Sequence, residues 1–182
     1  AAVAQVFGWQ HWYGRLIVLL VSVLGTWCFH RYVQRFLGDR ISFLSTLLLL
    51  GSLWFTYGRK TMPDVFALSL VCCGLWCSAR WADGRRPILH AALALLTISL
   101  GVLSKSPAVL LLPGLLPVLL QLRAYRRKLF GLLALVGVAL LPALWWYGHW
   151  EPYLTEAFGF QHFFMGKSMA IGAAELWARR AD

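Results

Sequence analysis

Gly58-Arg59-Lys60-Thr61-Met62-Pro63-Asp64 packs two cations and a carboxylate into a short turn between two uncharged stretches, Ile41–Tyr57 before it and Val65–Ala79 after it. Each stretch comes close to the roughly 20 apolar residues a helix needs to cross the hydrocarbon of a bilayer. The turn therefore reads as the point where one membrane helix ends and the next begins. A helix entering lipid must satisfy its first backbone N–H groups, and Asp64, directly after Pro63, is placed to cap them. Arg59 and Lys60 have no such local purpose, because most basic residues of the chain fall at the opposite membrane face.

The same alternation of apolar run and charged turn extends in both directions. Of 182 residues, 60% are hydrophobic and only 13% charged, and the mean hydropathy of +0.67 excludes an ordinary soluble domain. A net charge of +10 would suit nucleic acid, but the basic residues punctuate apolar runs instead of clustering on a polar domain, so no nucleic-acid partner is expected. Six spans are predicted, at about 16–33, 41–57, 65–81, 88–103, 108–122 and 129–147. The fifth is weakened by Pro113 and Pro117, and the sixth contains Pro142. The expected fold is an all-α, polytopic transmembrane helix bundle, with an aromatic segment over 148–182. The start at Ala1 instead of Met and the polar end Glu175–Asp182 lead us to expect a piece of a longer protein.

Alternate loops differ in charge. The junctions after spans one, three and five hold Arg31, Arg35, Arg40, Arg80, Arg85, Arg86, Arg123, Arg126, Arg127 and Lys128. The opposite junctions hold only Arg15, Arg59, Lys60 and Lys105. Basic loops stay cytoplasmic, which puts the first set inside and Gly58–Asp64, Ser104–Pro107 and the segment after Tyr147 outside. His30 and His90 fall near the cytoplasmic ends. Cys28, Cys72, Cys73 and Cys77 all fall within spans. Cys73 and Cys77 are one helical turn apart, but no His or acid accompanies them, and they read as small buried side chains.

The predicted outer face gathers Arg15, Arg59, Lys60, Asp64, Lys105, His149, Glu151, Glu156 and His162. The last four lie in Trp145–Phe164, rich in Trp, Tyr and Phe, a composition that suits sugar rings or lipid headgroups and equally a plain interfacial belt. Lys105 interrupts the otherwise apolar Leu89–Leu122, where a cation is costly unless it is paired or reaches water. Its bland reading is a snorkelling side chain at a helix end.

Several of these residues also carry a resemblance. Arg15-Leu16 opening a span, Arg59…Pro63-Asp64 opening another, Gly101-Val102-Leu103-Ser104-Lys105-Ser106-Pro107-Ala108 and Leu110-Leu111-Leu112-Pro113 together resemble the GT-C membrane glycosyltransferases. Within these the chain is most similar to the protein mannosyltransferase and aminoarabinose-transferase group; Trp145-Trp146-Tyr147 and Gln161-His162-Phe163-Phe164 fit the same pattern. The resemblance implies a hexosyl- or pentosyltransferase that takes a sugar from a polyprenyl-phosphate donor and passes it to a lipid, protein or glycan. The active face would be extracytoplasmic, in a bacterial inner membrane. Asp64 matches the family's second acidic position, the catalytic candidate in this chain. Lys105 matches the Lys of its Lys-x-Pro turn, with Ser106 where Gly is usual. His162 resembles the His with which some members hold a divalent cation, without the Arg expected a few residues on. The family's general base, an Asp on the first outer loop, has no counterpart in these residues, so the chain alone is expected to be inactive.

Physical chemistry points the same way. Breaking a sugar–phosphate bond leaves an anionic phosphate, which cations beside low-dielectric walls stabilise far better than water does. Lys105, with Arg59 or Lys60 as a second contact, is the expected donor-phosphate site, and an acceptor hydroxyl needs a carboxylate within hydrogen-bond reach. The rival readings are a polytopic transporter and a noncatalytic membrane subunit. Transporters place polar groups near the midplane, often with inverted repeats, and this chain shows neither.

Overall fold

The structure is a computed structural model that describes residues 12–52, 63–84 and 86–158. Among these residues the chain is helical and without strands. Its elements are α1 (Trp12–Leu37), α2 (Asp39–Gly51), α3 (Pro63–Ala82), α4 (Pro87–Ser104), a 3-10 segment (Ser106–Leu115), α5 (Leu116–Leu122), α6 (Arg126–Trp145), a π-helical turn (Trp146–Trp150) and α7 (Glu151–Phe158). Trp12–Leu37, Pro63–Ala82, Pro87–Ser104 and Arg126–Phe158 are long and apolar enough to cross a membrane. This is the all-α transmembrane bundle that the sequence predicts. In lipid the choice of helix is forced, since each backbone group must find its partner within its own segment. The exterior fits the same solvent: Ile88, Leu48 and Leu110 are 85%, 76% and 76% exposed, which water would penalise and acyl chains would not.

Two units divide the chain, residues 1–142 and 143–182. In the first, α3 is the central element and is buried along most of its length. Small residues let its neighbours approach. A Cβ added to Gly25 of α1 would overlap Ser69 of α3, and one added to Gly74 of α3 would overlap Ile98 of α4. Such small-residue seams are how membrane helices gain packing when no water is left to expel. Two hydroxyls along the seams are satisfied at home, Ser22 donating to the Val18 carbonyl and Ser69 to the Val65 carbonyl, both at 2.6 Å, whereas the buried Ser78 hydroxyl of α3 has no hydrogen-bond partner among the described residues. α1 turns into α2 through Gly38, whose φ of +84° is open to glycine at little cost. Ser42 of α2 then donates to the His30 carbonyl at 2.6 Å and lies 2.8 Å from its Nδ1.

Where a fifth span is expected at 108–122, the chain instead makes a ten-residue 3-10 segment followed by the seven-residue α5. Pro113 and Pro117 are the reason, since each removes an N–H from the ladder and clashes with an α-helical turn before it, whereas Pro107 lies in the first turn, where a Pro is tolerated. The Gly114 carbonyl finds no N–H on Pro117, and the Tyr32 hydroxyl of α1 donates to it instead. In α6 Pro142 has no N–H for the Val138 carbonyl, and one residue on the Ala139 carbonyl accepts from Ser99 of α4 at 2.7 Å. The second expected span, 41–57, begins as α2 and reaches Gly51; its last residues lie outside the described set.

One end of this unit is clasped by Arg35. Its guanidinium donates to the Ala79 carbonyl (2.6 Å), pairs with Asp83 (2.5 Å) and donates to Gln121 (2.8 Å), tying α1 to the end of α3 and to α5. Lys128 adds a bond to the Ala82 carbonyl at 3.2 Å. Arg35→Lys keeps the charge and loses the fork. Charge-assisted bonds are worth about 1.5–3 kcal/mol each, so we expect Arg35→Lys to lower the unfolding free energy by about 2 kcal/mol. Thermal unfolding in detergent followed by tryptophan fluorescence checks this.

The second unit holds an aromatic row. Trp145 and Trp150 stack at 5.9 Å and 18°, and Trp150 meets Tyr153 at 5.5 Å. Pro152 cannot give an N–H to the turn before it, which favours the wider π-helical turn over Trp146–Trp150.

Candidate functional site

Asp64 and Lys105 form an ion pair, Nζ to Oδ1, at the end of the first unit opposite the Arg35 clasp. The two clusters are separated by the 20 residues of α3, about 30 Å of helix. Asp64 is the second residue of α3, inside its first turn and not the cap ahead of it. A carboxylate there is favoured by the positive end of the helix dipole. Lys105 caps the C-terminus of α4 in an extended conformation, φ −157° and ψ 116°. Its N–H bonds to the Gly101 carbonyl (3.2 Å) and its own carbonyl accepts from Ala108 N–H (3.0 Å), so the turn is fixed on both sides.

The register of α3 on α4 brings the two charges together. Gly74 faces Ile98, Ala67 and Val71 face Gly101, and one turn further on Asp64 faces Lys105. Gly101 sets the spacing: a Cβ there would lie 2.8 Å from Val71 Cγ2 and 2.9 Å from the Ala67 carbonyl oxygen. Beside the pair is a recess of about 100 Å³ lined by Asp64, Ala67, Leu68, Lys105, Pro107 and Ala108. That is room for several water molecules, or for a phosphate or hydroxyl reaching in from a larger molecule. The wall residues Ala67 and Leu68 stand three and four positions after Asp64, a helical repeat that the sequence displays once α3 is granted.

The pair is not strongly buried; the side chains are 40% (Lys105) and 48% (Asp64) exposed. Ion pairs so open to solvent are worth about 0–1 kcal/mol to folding. Both groups are therefore free to exchange partners at small cost, which suits a site that receives an anion and loses it again.

Of the other residues singled out in the sequence, Arg59, Lys60 and His162 lie outside the described set. His149 and Glu156 belong to the second unit, where His149 lies 6.2 Å from the Trp145 ring. Among the described residues no group of three or more His, Cys, Asp or Glu side chains could hold a metal ion. Cys28, Cys72, Cys73 and Cys77 are all buried and free.

A bundle of apolar helices that holds an acid and a cation together at one end defines an integral membrane protein with a polar site at the margin of its apolar core. The chain matches the dolichyl-phosphate-mannose-protein mannosyltransferase family over residues 1–146, most of its length, and it belongs to that family. It is a membrane glycosyltransferase of the GT-C type. Neither the curated proteins nor the solved structures give a match.

Proposed function

We propose that the protein transfers a sugar from a polyprenyl-phosphate donor to a lipid, protein or glycan acceptor, at the extracytoplasmic face of the membrane. The observation that supports this reading best is the Asp64–Lys105 pair beside its recess. In the reaction the acceptor oxygen bonds to the anomeric carbon, its hydroxyl proton passes to a carboxylate base, the bond from that carbon to the phosphate oxygen breaks, and the polyprenyl phosphate leaves with one more negative charge. Lys105 stands where an incoming phosphate would compete with Asp64 for the ammonium. Once the ammonium turns to phosphate, Asp64 is released to accept a hydrogen bond from the acceptor hydroxyl. Arg59 and Lys60, a few residues ahead of Asp64 in the chain, would add charge to the same phosphate. An ammonium attracts the departing monoester dianion more than the bound diester monoanion, and that difference is what lowers the barrier.

Transfer itself is the direct test. Full-length protein in liposomes with a radiolabelled polyprenyl-phosphate sugar and membrane extract should move label into an acceptor, and a nucleotide-sugar donor giving the same product without the lipid carrier would overturn the reading. Orientation is tested separately. In a cysteine-free background, Ser104→Cys should react with an impermeant reagent added outside the cell and Arg126→Cys only after lysis. Labelling of position 126 from outside would reverse the assignment.

A further inference from the structure

At the other end of the bundle, two arginines converge on one indole. The guanidinium carbons of Arg31 on α1 and Arg80 on α3 lie 6.0 and 5.4 Å from the Trp76 ring. Among the described residues neither pairs with a carboxylate: Asp83 is engaged by Arg35, and the nearest polar partner of Arg31 is the neutral Gln34 side chain at 2.9 Å. Gln34 donates in turn to Asp39 at 2.7 Å, so that carboxylate is linked to Arg31 only through a neutral amide, and two like charges beside one ring, with no carboxylate in direct contact, leave a local positive potential that calls for an anion.

What lies below them says which kind of anion. Leu20, Val23, Leu24 and Trp27 are 60%, 61%, 51% and 52% exposed, and with Arg31 they fall on one face of α1 at helical spacing. Trp27 also meets Trp76 edge-on at 6.4 Å. The stripe runs about 16 Å along the helix before it reaches the arginines. An apolar track that ends in two guanidiniums without a carboxylate pair has the form of a lipid: acyl chain on the leucines and Trp27, phosphate at Arg31 and Arg80.

We propose that this surface binds an anionic phospholipid, with Arg31 and Arg80 holding its phosphate and Trp76 fixing both guanidiniums in place. The site is at the opposite end of the bundle from Asp64 and Lys105, and it does not depend on the sugar-transfer reading. Basic groups between helices at a membrane face recognise lipid headgroups in this way, at about 1 kcal/mol for each Arg near the surface, or roughly fivefold in affinity. The helix C-termini that carry these residues add no attraction for an anion, so the affinity should rest on the guanidiniums.

The test is a titration of the purified full-length protein in detergent with phosphatidylglycerol and, separately, phosphatidylcholine, counting bound lipid by native mass spectrometry. Phosphatidylglycerol should bind in preference. Arg31→Gln or Arg80→Gln should weaken it about fivefold and the double variant about thirtyfold. Arg126→Gln with Arg127→Gln, which lowers the net charge equally, should leave that binding within twofold of the parent. If the double Gln variant does not fold, the parent protein still decides. Its preference for phosphatidylglycerol should fall as salt is raised from about 0.1 to 1 M, where the screening length shrinks from about 10 to 3 Å. Equal binding of the two lipids, a preference indifferent to salt, or a double variant that binds like the parent would each overturn the proposal and leave the stripe to another helix.

Discussion

Lys105→Gln should slow sugar transfer by about two to three orders of magnitude while the protein melts at nearly the same temperature. A unit charge at contact distance is worth about 1 kcal/mol in water and about 4 kcal/mol at an effective dielectric near 20, the regime of a site walled by apolar helices. At about 1.4 kcal/mol per tenfold, losing a few kcal/mol in the transition state gives that range. The stability side of the prediction comes from the exposure of the pair, 40% and 48%, which limits its contribution to folding to about 1 kcal/mol or less. The alternative is a purely structural bridge, and a double-mutant cycle separates the two. If the ammonium serves only to neutralise Asp64, removing both charges in Lys105→Gln with Asp64→Asn should restore transfer. If it serves a phosphate, the double variant should be at least as slow as Lys105→Gln alone. Transfer is followed from a polyprenyl-phosphate sugar, with protein abundance measured in parallel; normal turnover at normal abundance would return Lys105 to the role of a snorkelling side chain.

The parts of this fold that were legible in the sequence are those fixed by solvent. Long gaps between charges marked α1, α3, α4 and α6, because lipid admits so few alternatives to an apolar helix. Lys105 stood out for the same reason, as a cation inside an apolar stretch. Its partner did not. Asp64 precedes it by 41 residues, and no periodicity links them. The link is the register of α3 on α4, set by Gly74 and Gly101, whose role shows only when the opposing backbone is in view. Proline spacing marked 108–122 as weak, yet it did not show that the backbone would tighten to a 3-10 helix and take a hydrogen bond from Tyr32. Arg35 read as one loop charge among many. It became a clasp because Asp83 and Gln121, far away in sequence, end beside it.

The same register makes Gly101 the most sensitive packing position near the site. Gly101→Ala adds a single methyl group, which would meet Val71 Cγ2 at 2.8 Å and the Ala67 carbonyl at 2.9 Å. A flexible side chain could turn away from it, but the carbonyl belongs to the backbone of α3 and can yield only if the helices part. Overpacking of this kind costs about 1–3 kcal/mol, and we expect about 2 kcal/mol, a fall of roughly 4–8 °C in Tm for a chain of this size. Val71→Ala should return only part of that loss, because it removes the methyl contact and leaves the carbonyl. Gly137→Ala on α6 is the control: nothing lies within 4 Å of its added Cβ, and replacing a mid-helix glycine should raise stability by about 0.5–1 kcal/mol. Function should follow the helices. Parting α3 from α4 one turn short of the ion pair moves Lys105 away from Asp64, so Gly101→Ala should also reduce transfer in the fraction that remains folded, whereas Gly137→Ala should not. Thermal melts and transfer rates on the same preparations give both readings, and a Gly101→Ala protein as stable and as fast as its parent would show that the two helices do not meet in this register.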